Sequence, residues 1–191
     1  MRELSAISYQ LSAITHYALR FTFHVSRFTL PASDPMPTIT ATTIVSATPE
    51  EAFSFVADYR NIVRLQPHFT SARLASEEEY GVGAEVELAG HFHGIPIKAR
   101  NRIIAYAPPT RHVSISEGQV VSRSTWEFEQ LAADPPSTRV TLTLDYKMAD
   151  GLGGLLASML WPIFNREIQG MTNESMRRLE EFLGSSPDSL S

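Results

Sequence analysis

Apolar residues recur at every second position through much of residues 84–148; after Gly151 the period lengthens to that of a helix and holds to Leu183. Val86, Leu88 and Phe92 alternate with Glu85, Glu87, His91 and His93. Trp126 and Phe128 alternate with Glu127 and Glu129, and Val140, Leu142, Leu144 and Tyr146 with Thr141, Thr143, Asp145 and Lys147. Each pattern is a strand with one dry face and one wet face. The helical stretch carries Leu152, Leu155, Leu156, Met159, Leu160, Ile163, Phe164, Ile168, Met171, Met176, Leu179 and Phe182. At ~1.5 Å per residue it spans about 50 Å, with a kink expected at Pro162. A sheet with one apolar face must bury it, and this helix is the element large enough to cover it. Sheets twist and curl, so the pattern predicts an antiparallel sheet wrapped around a long C-terminal helix, with room for a gap between them.

The remaining segments complete an α+β order of one strand, two short helices, six strands and one long helix. Residues 38–46 are rich in β-branched side chains and read as the first strand. Thr48, Pro49 and Glu51 form a helix start, with Thr48 as N-cap and Glu51 closing a capping box. That helix directs Ala52, Phe53, Phe55 and Val56 toward the core, and a second short helix is expected over 59–65. Further strands are expected over 69–77, 84–93, 95–106, 111–117, 119–131 and 138–148. Gly81 and Gly83 supply a turn between the first two of these. Gly184 is a natural helix stop.

The first 35 residues read differently. LSAISYQ at 4–10 repeats as LSAITHY at 11–17, and Phe21-Thr22 recurs as Phe28-Thr29. Two copies rich in Ser, Thr and Tyr make a poor coiled coil, and Pro31, Pro35 and Pro37 cannot continue a helix. Residues 1–35 are therefore expected to be a disordered or non-native extension, with translation starting at Met36. A flexible tail and an amphipathic targeting segment are the alternatives. The domain is expected over 36–184, followed by a loose polar tail at 185–191.

Composition narrows the function. The chain carries 16 basic and 21 acidic residues, and its basic residues form no stripe, which argues against a nucleic-acid partner. It has no cysteine, which removes disulfides, thiolate metal sites and cysteine nucleophiles and suits a cytoplasmic location. No apolar run reaches the roughly 18 residues of a membrane span. There is no nucleophile elbow, P-loop, HExxH or paired His–acid constellation.

Individual residues carry sharper readings beside plainer ones. His91 and His93 share a strand face, as two metal ligands would, but that face is the wet one and no third ligand is near. Lys98, Arg100 and Arg102 alternate with Ala99, Asn101 and Ile103. The charged set is expected to pair with Glu85 and Glu87 on the outer face. Asn101 then falls on the apolar side, where its amide must find a partner: a ligand, a side chain or water. Ser124, two before Trp126, carries a similar argument. Trp126 and Tyr146 combine an apolar body with a hydrogen-bonding tip, a pocket-lining type, although core packing is the favoured reading for each taken alone. Met148, Met159, Met171 and Met176 suit either an adaptable cavity or plain core.

Several stretches together carry a family resemblance: ATTIVSATPEEAFSFVADYRNIVRLQP, YGVGAEVEL, IIAYAPPTRHV, STWEFEQL with TRVTLTLDYKM, and GLGGLLASMLWPIFNREIQGMTNESMRRLEEFL. The chain resembles the START-like, helix-grip superfamily often labelled SRPBCC, in its polyketide cyclase/dehydrase and coenzyme Q-binding branch. The resemblance covers about 148 residues and leaves out the first 35. It implies a helix-grip fold of about seven strands and a cavity between sheet and C-terminal helix. Members bind lipids, quinones, hormones or polyketides, and some are cyclases. The leading expectation is a binder of a hydrophobic small molecule, without a cofactor. The alternatives are a cyclase or dehydratase acting on a polyketide-like substrate, and a groove for another protein's segment. The residues expected to line the cavity are Phe55, Val86, Leu88, Phe92, Asn101, Ile103, Ser124, Trp126, Tyr146, Met159 and Ile163.

Overall fold

A computed structural model describes residues 36–92, 94–118, 120–148 and 154–184, with Phe92, Ile95, Met148 and residues 154–163 described in their backbone alone. The chain opens with strand β1 (Thr38–Val45), helix α1 (Pro49–Ala57), a single 3₁₀ turn (Tyr59–Asn61) and helix α2 (Ile62–Leu65). Six strands follow: β2 (Phe69–Leu74), β3 (Glu85–Phe92), β4 (Ile95–Ala107), β5 (Arg111–Gly118), β6 (Val120–Ala133) and β7 (Pro136–Met148). Helix α3 (Gly154–Leu183) ends the fold. The strands form one curved antiparallel sheet in the order β1-β7-β6-β5-β4-β3-β2, so β1 and β2 are its edges.

Local chemistry sets these elements. The Thr48 side chain accepts from the Glu51 N–H while the Glu51 carboxylate accepts from the Thr48 N–H, and Pro49 occupies the first turn. The capping box of the sequence is thus formed, and it holds the Glu51 carboxyl below its usual pKa range. Strand β2 is shorter than its pattern, stopping at Leu74 rather than 77. There Ser76 turns the chain: its hydroxyl donates to the Glu78 carbonyl at 2.7 Å and accepts from the Glu85 N–H at 2.8 Å.

Alternation sorts the two faces of the sheet. On the outer face, Arg100 reaches Glu87 at 2.9 Å and Glu85 at 3.6 Å, the cross-strand pairing its charges require. Threonines of β1 and β7 meet in a ladder, Thr40 with Thr143 at 3.5 Å and Thr42 with Thr141 at 3.3 Å. On the helix side, Phe53, Val56, Leu65, Trp126, Phe128, Val140, Leu142, Met176 and Leu179 form one packed cluster. Phe53 sits edge-on to Tyr106 at 5.1 Å and to Phe128 at 5.5 Å, the favoured aromatic geometry.

The last turns of α3 are fastened to β1 and α2. Thr43 donates to the Glu180 carboxylate at 3.1 Å, the Ser46 N–H to the Gly184 carbonyl at 2.9 Å, and Arg178 to the Arg64 carbonyl at 3.1 Å.

Gly90 is fixed by crowding. At Gly90 of β3 the chain entering β2 passes so close that an added Cβ would collide with the His68 carbonyl oxygen and stand 2.7 Å from the Phe69 Cα. Both obstacles are backbone, and the His68 carbonyl already accepts from the His91 N–H at 2.9 Å. Gly90→Ala is therefore expected to destabilise the fold by about 2–3 kcal/mol in urea unfolding. A loss below ~0.5 kcal/mol would show that the crossing yields easily.

Candidate functional site

The buried apolar side chains do not all belong to one group. The packed cluster lies under α1 and the C-terminal half of α3. Ala84, Val86, Leu88, Ile103, Val113, Tyr146 and Ile168 are also buried but stand outside it, Val113 on the opposite face of the sheet. Val86 and Leu88 of β3, Ile103 of β4 and Tyr146 of β7 lie on one face of the sheet, and Ile168 lies on α3.

The strand registers place this second group in rows. Val86 stands opposite Asn101, Asn101 opposite Ser116, Ser116 opposite Ser122, and Ser122 opposite Tyr146. In the next row Ile103 stands opposite Ser114, Ser114 opposite Ser124, and Ser124 opposite Leu144. Paired residues share a face of a sheet, so each row points toward the helix. Tyr146 closes its row: its ring is fully buried, lies 6.3 Å from that of Phe164, and its hydroxyl donates to Asn165 Oδ1. Burial holds the Tyr146 phenol above its usual pKa, so it stays a neutral donor.

Three buried polar atoms have no partner among the described residues: Asn101 Oδ1, His112 Nδ1 and His68 Nδ1. Asn101 lies within the second group, between Val86 and Ser116. An unsatisfied amide in such a place costs free energy until something donates to it. His112 belongs elsewhere. Its ring lies 6.4 Å from Phe53 and 6.2 Å from Tyr106, at the margin of the packed cluster. Removal from water pushes both histidines down to about 4, so each is neutral at pH 7.

The expected cavity residues separate accordingly. Val86, Leu88, Asn101, Ile103, Ser124 and Tyr146 come together on the helix-side face. Trp126 is buried in the packed cluster with Leu142 and Met176. Phe55 stacks on Phe182 at 5.6 Å with the Arg64 guanidinium over both rings, on the seam between α1 and the end of α3. Phe182 lies 17 residues beyond Asn165 on α3, about 26 Å at ~1.5 Å per residue, so Phe55 is remote from the row ending at Tyr146. The side chains of Phe92, Met159 and Ile163 lie outside the described residues, as does His93; His91 is exposed on the outer face. Among the described residues no group of three His, Cys, Asp or Glu is placed to hold a metal ion. None of their helices is long and apolar enough to cross a membrane.

Sequence reading missed Ser114, Ser116 and Ser122, together with His112 and His68. The signal was parity. In β5 the serines occupy one face and Val113 and Ile115 the other, and only the register shows that the serine face meets the helix.

A family model described as polyketide cyclase/dehydrase and lipid transport matches residues 36–181. No curated protein matches the chain by sequence. Among solved structures, a protein of Thermus thermophilus superposes with a TM-score of 0.65 at 19% identity, covering 77% of this chain and 97% of its own. The Zhui aromatase/cyclase of Streptomyces sp. R1128 gives 0.58 at 15% identity, covering 79% and 99%. A START superfamily protein of Mycobacterium smegmatis gives 0.54 at 14%, covering 74% and 98%. At these identities the likeness is one of fold, and it matches the helix-grip architecture.

The buried histidines make stability depend on acid. With folded values near 4 against 6.5 for the free side chain, the unfolded chain binds more protons between those limits. Stability is therefore full above pH 6.5 and falls as pH drops toward 4. His112 contributes up to about 3 kcal/mol at 1.36 kcal/mol per pH unit. Glu174 is held near 2 by Arg177 and Arg178, so its contribution fades only below 4.5, in a separate window. Urea unfolding at pH 7 and pH 4.5 should show a smaller loss for His112→Phe than for the parent chain. Equal losses would remove His112 from the account.

Proposed function

Because the chain belongs to the polyketide cyclase/dehydrase and lipid transport family, we propose that it binds a hydrophobic small molecule between the helix-side face of β3–β7 and the first half of α3. The observation that carries this reading is the partition of the buried residues. Val86, Leu88 and Ile103 share a sheet face with an unsatisfied Asn101 amide, and like Ile168 of α3 they stand outside the cluster that packs the rest of the domain. Ligand pockets have this make-up: apolar walls with a few polar groups that fix orientation.

The energetics favour capture of an apolar body. Burying about 300 Å² of ligand surface contributes on the order of 7 kcal/mol at ~25 cal/mol per Å². The entropy of association offsets part of it. Asn101 contributes orientation, because any ligand lacking a donor there leaves its oxygen unpaired.

Native mass spectrometry of the full chain, followed by organic extraction, tests the reading. A stoichiometric apolar adduct is expected, lost on extraction and regained when the extract is returned. An apo mass, combined with failure of every apolar dye to bind, would contradict it.

A further inference from the structure

The helix-side face of the site inverts the usual polarity of a sheet that covers a helix. On β5 the residues facing the helix are Ser114 and Ser116, while Val113 and Ile115 lie on the opposite face. On β6, Ser122 and Ser124 face the helix and Val121 lies on the opposite face. Ser114 is only 4% exposed. Four serines and Asn101 thus form one continuous polar stripe across β4, β5 and β6. On either side the same face is apolar, with Val86 and Leu88 on β3 and Leu142 and Leu144 on β7. Val113 is also only 4% exposed, so β5 is covered on both faces there and only its helix side is polar; a core built only to pack would carry apolar residues on that side too, because buried hydroxyls gain nothing unless they are hydrogen-bonded.

Resting on the binding reading above, we propose that this stripe is the specificity element of the pocket. It selects an amphipathic ring ligand with hydroxyl groups along one edge, that edge against β4–β6 and the apolar edge against β3. The geometry sets the pattern. Neighbouring strands lie about 4.8 Å apart, so Asn101, Ser116 and Ser122 present polar groups at that interval along one line. Ser114 and Ser124 repeat the interval one row away. A flat ring system offers oxygens along one edge at comparable spacing, whereas an unbranched hydrocarbon tail offers none. Asn101 Oδ1 takes a donor, and the serine hydroxyls, which donate and accept, take either kind of group.

A matched pair of probes tests this on the full chain: naphthalene and dihydroxylated naphthalene, each displacing an anilinonaphthalene sulfonate dye. A wholly apolar pocket prefers naphthalene, because each hydroxyl must be stripped of water without return. The stripe reverses that order, and the dihydroxylated probe is expected to bind at least about tenfold tighter. In Ser116→Ala/Ser124→Ala the preference should collapse while naphthalene affinity holds or rises. Equal binding of the two probes to the parent chain, or a preference that survives the double variant, overturns the specificity proposal and leaves apolar binding standing. If neither probe displaces the dye, or the dye does not bind, both readings fall. The parent-chain ratio needs no variant, so the proposal stays open to refutation even if the double variant does not fold.

Discussion

Helix α3, with α1 beside it, covers one face of a seven-stranded sheet, and the described contacts fasten α3 most tightly at its C-terminal end. Met176 and Leu179 sink into the packed cluster, while Thr43, Ser46 and Arg64 hold the last turns by hydrogen bonds to Glu180, Gly184 and Arg178. Helix α3 has 30 residues, about 45 Å at ~1.5 Å per residue. The packed cluster occupies the interior beneath the C-terminal half of this helix, and Val86, Leu88 and Ile103 lie outside it. Within the cluster Phe53 packs on Tyr106 and Phe128.

Polarity follows the same division. In the packed cluster the helix-side residues of β6 and β7 are Trp126, Phe128, Val140 and Leu142. Further along the same strands they become Ser122, Ser124, Leu144 and Tyr146. Each strand is therefore apolar and packed at one end and, on β6, polar at the other. Tyr146 ties β7 to α3 through Asn165 beside the polar stripe.

Much of this was legible in the sequence wherever one face of an element is wet. The alternation of Val140, Leu142 and Tyr146 with Thr141, Thr143 and Asp145 gives both the strand and its buried face, and Arg100 against Glu85 and Glu87 follows from charge. Thr48 and Glu51 announce a helix start that the fold uses. The site was less legible, because β5 breaks the rule the others obey. Its valine and isoleucine lie on the face away from the helix, so apolarity alone points to the wrong side, and only pairing with β4 and β6 sets the serines under the helix. Phe55 shows the complementary difficulty. Helical spacing says that it is inward, but contact with Phe182 and Arg64 decides which of two interiors it joins.

The central claim is that guest binding is confined to the half of the interior outside the packed cluster. Methyl-resolved NMR on the full chain during titration with naphthalene tests it most directly. The account predicts shifts at Val86, Leu88 and Ile103, with Val45, Val140 and Leu179 unmoved. Shifts centred on the packed cluster, or on Val113 and Ile115 across the sheet, would contradict it.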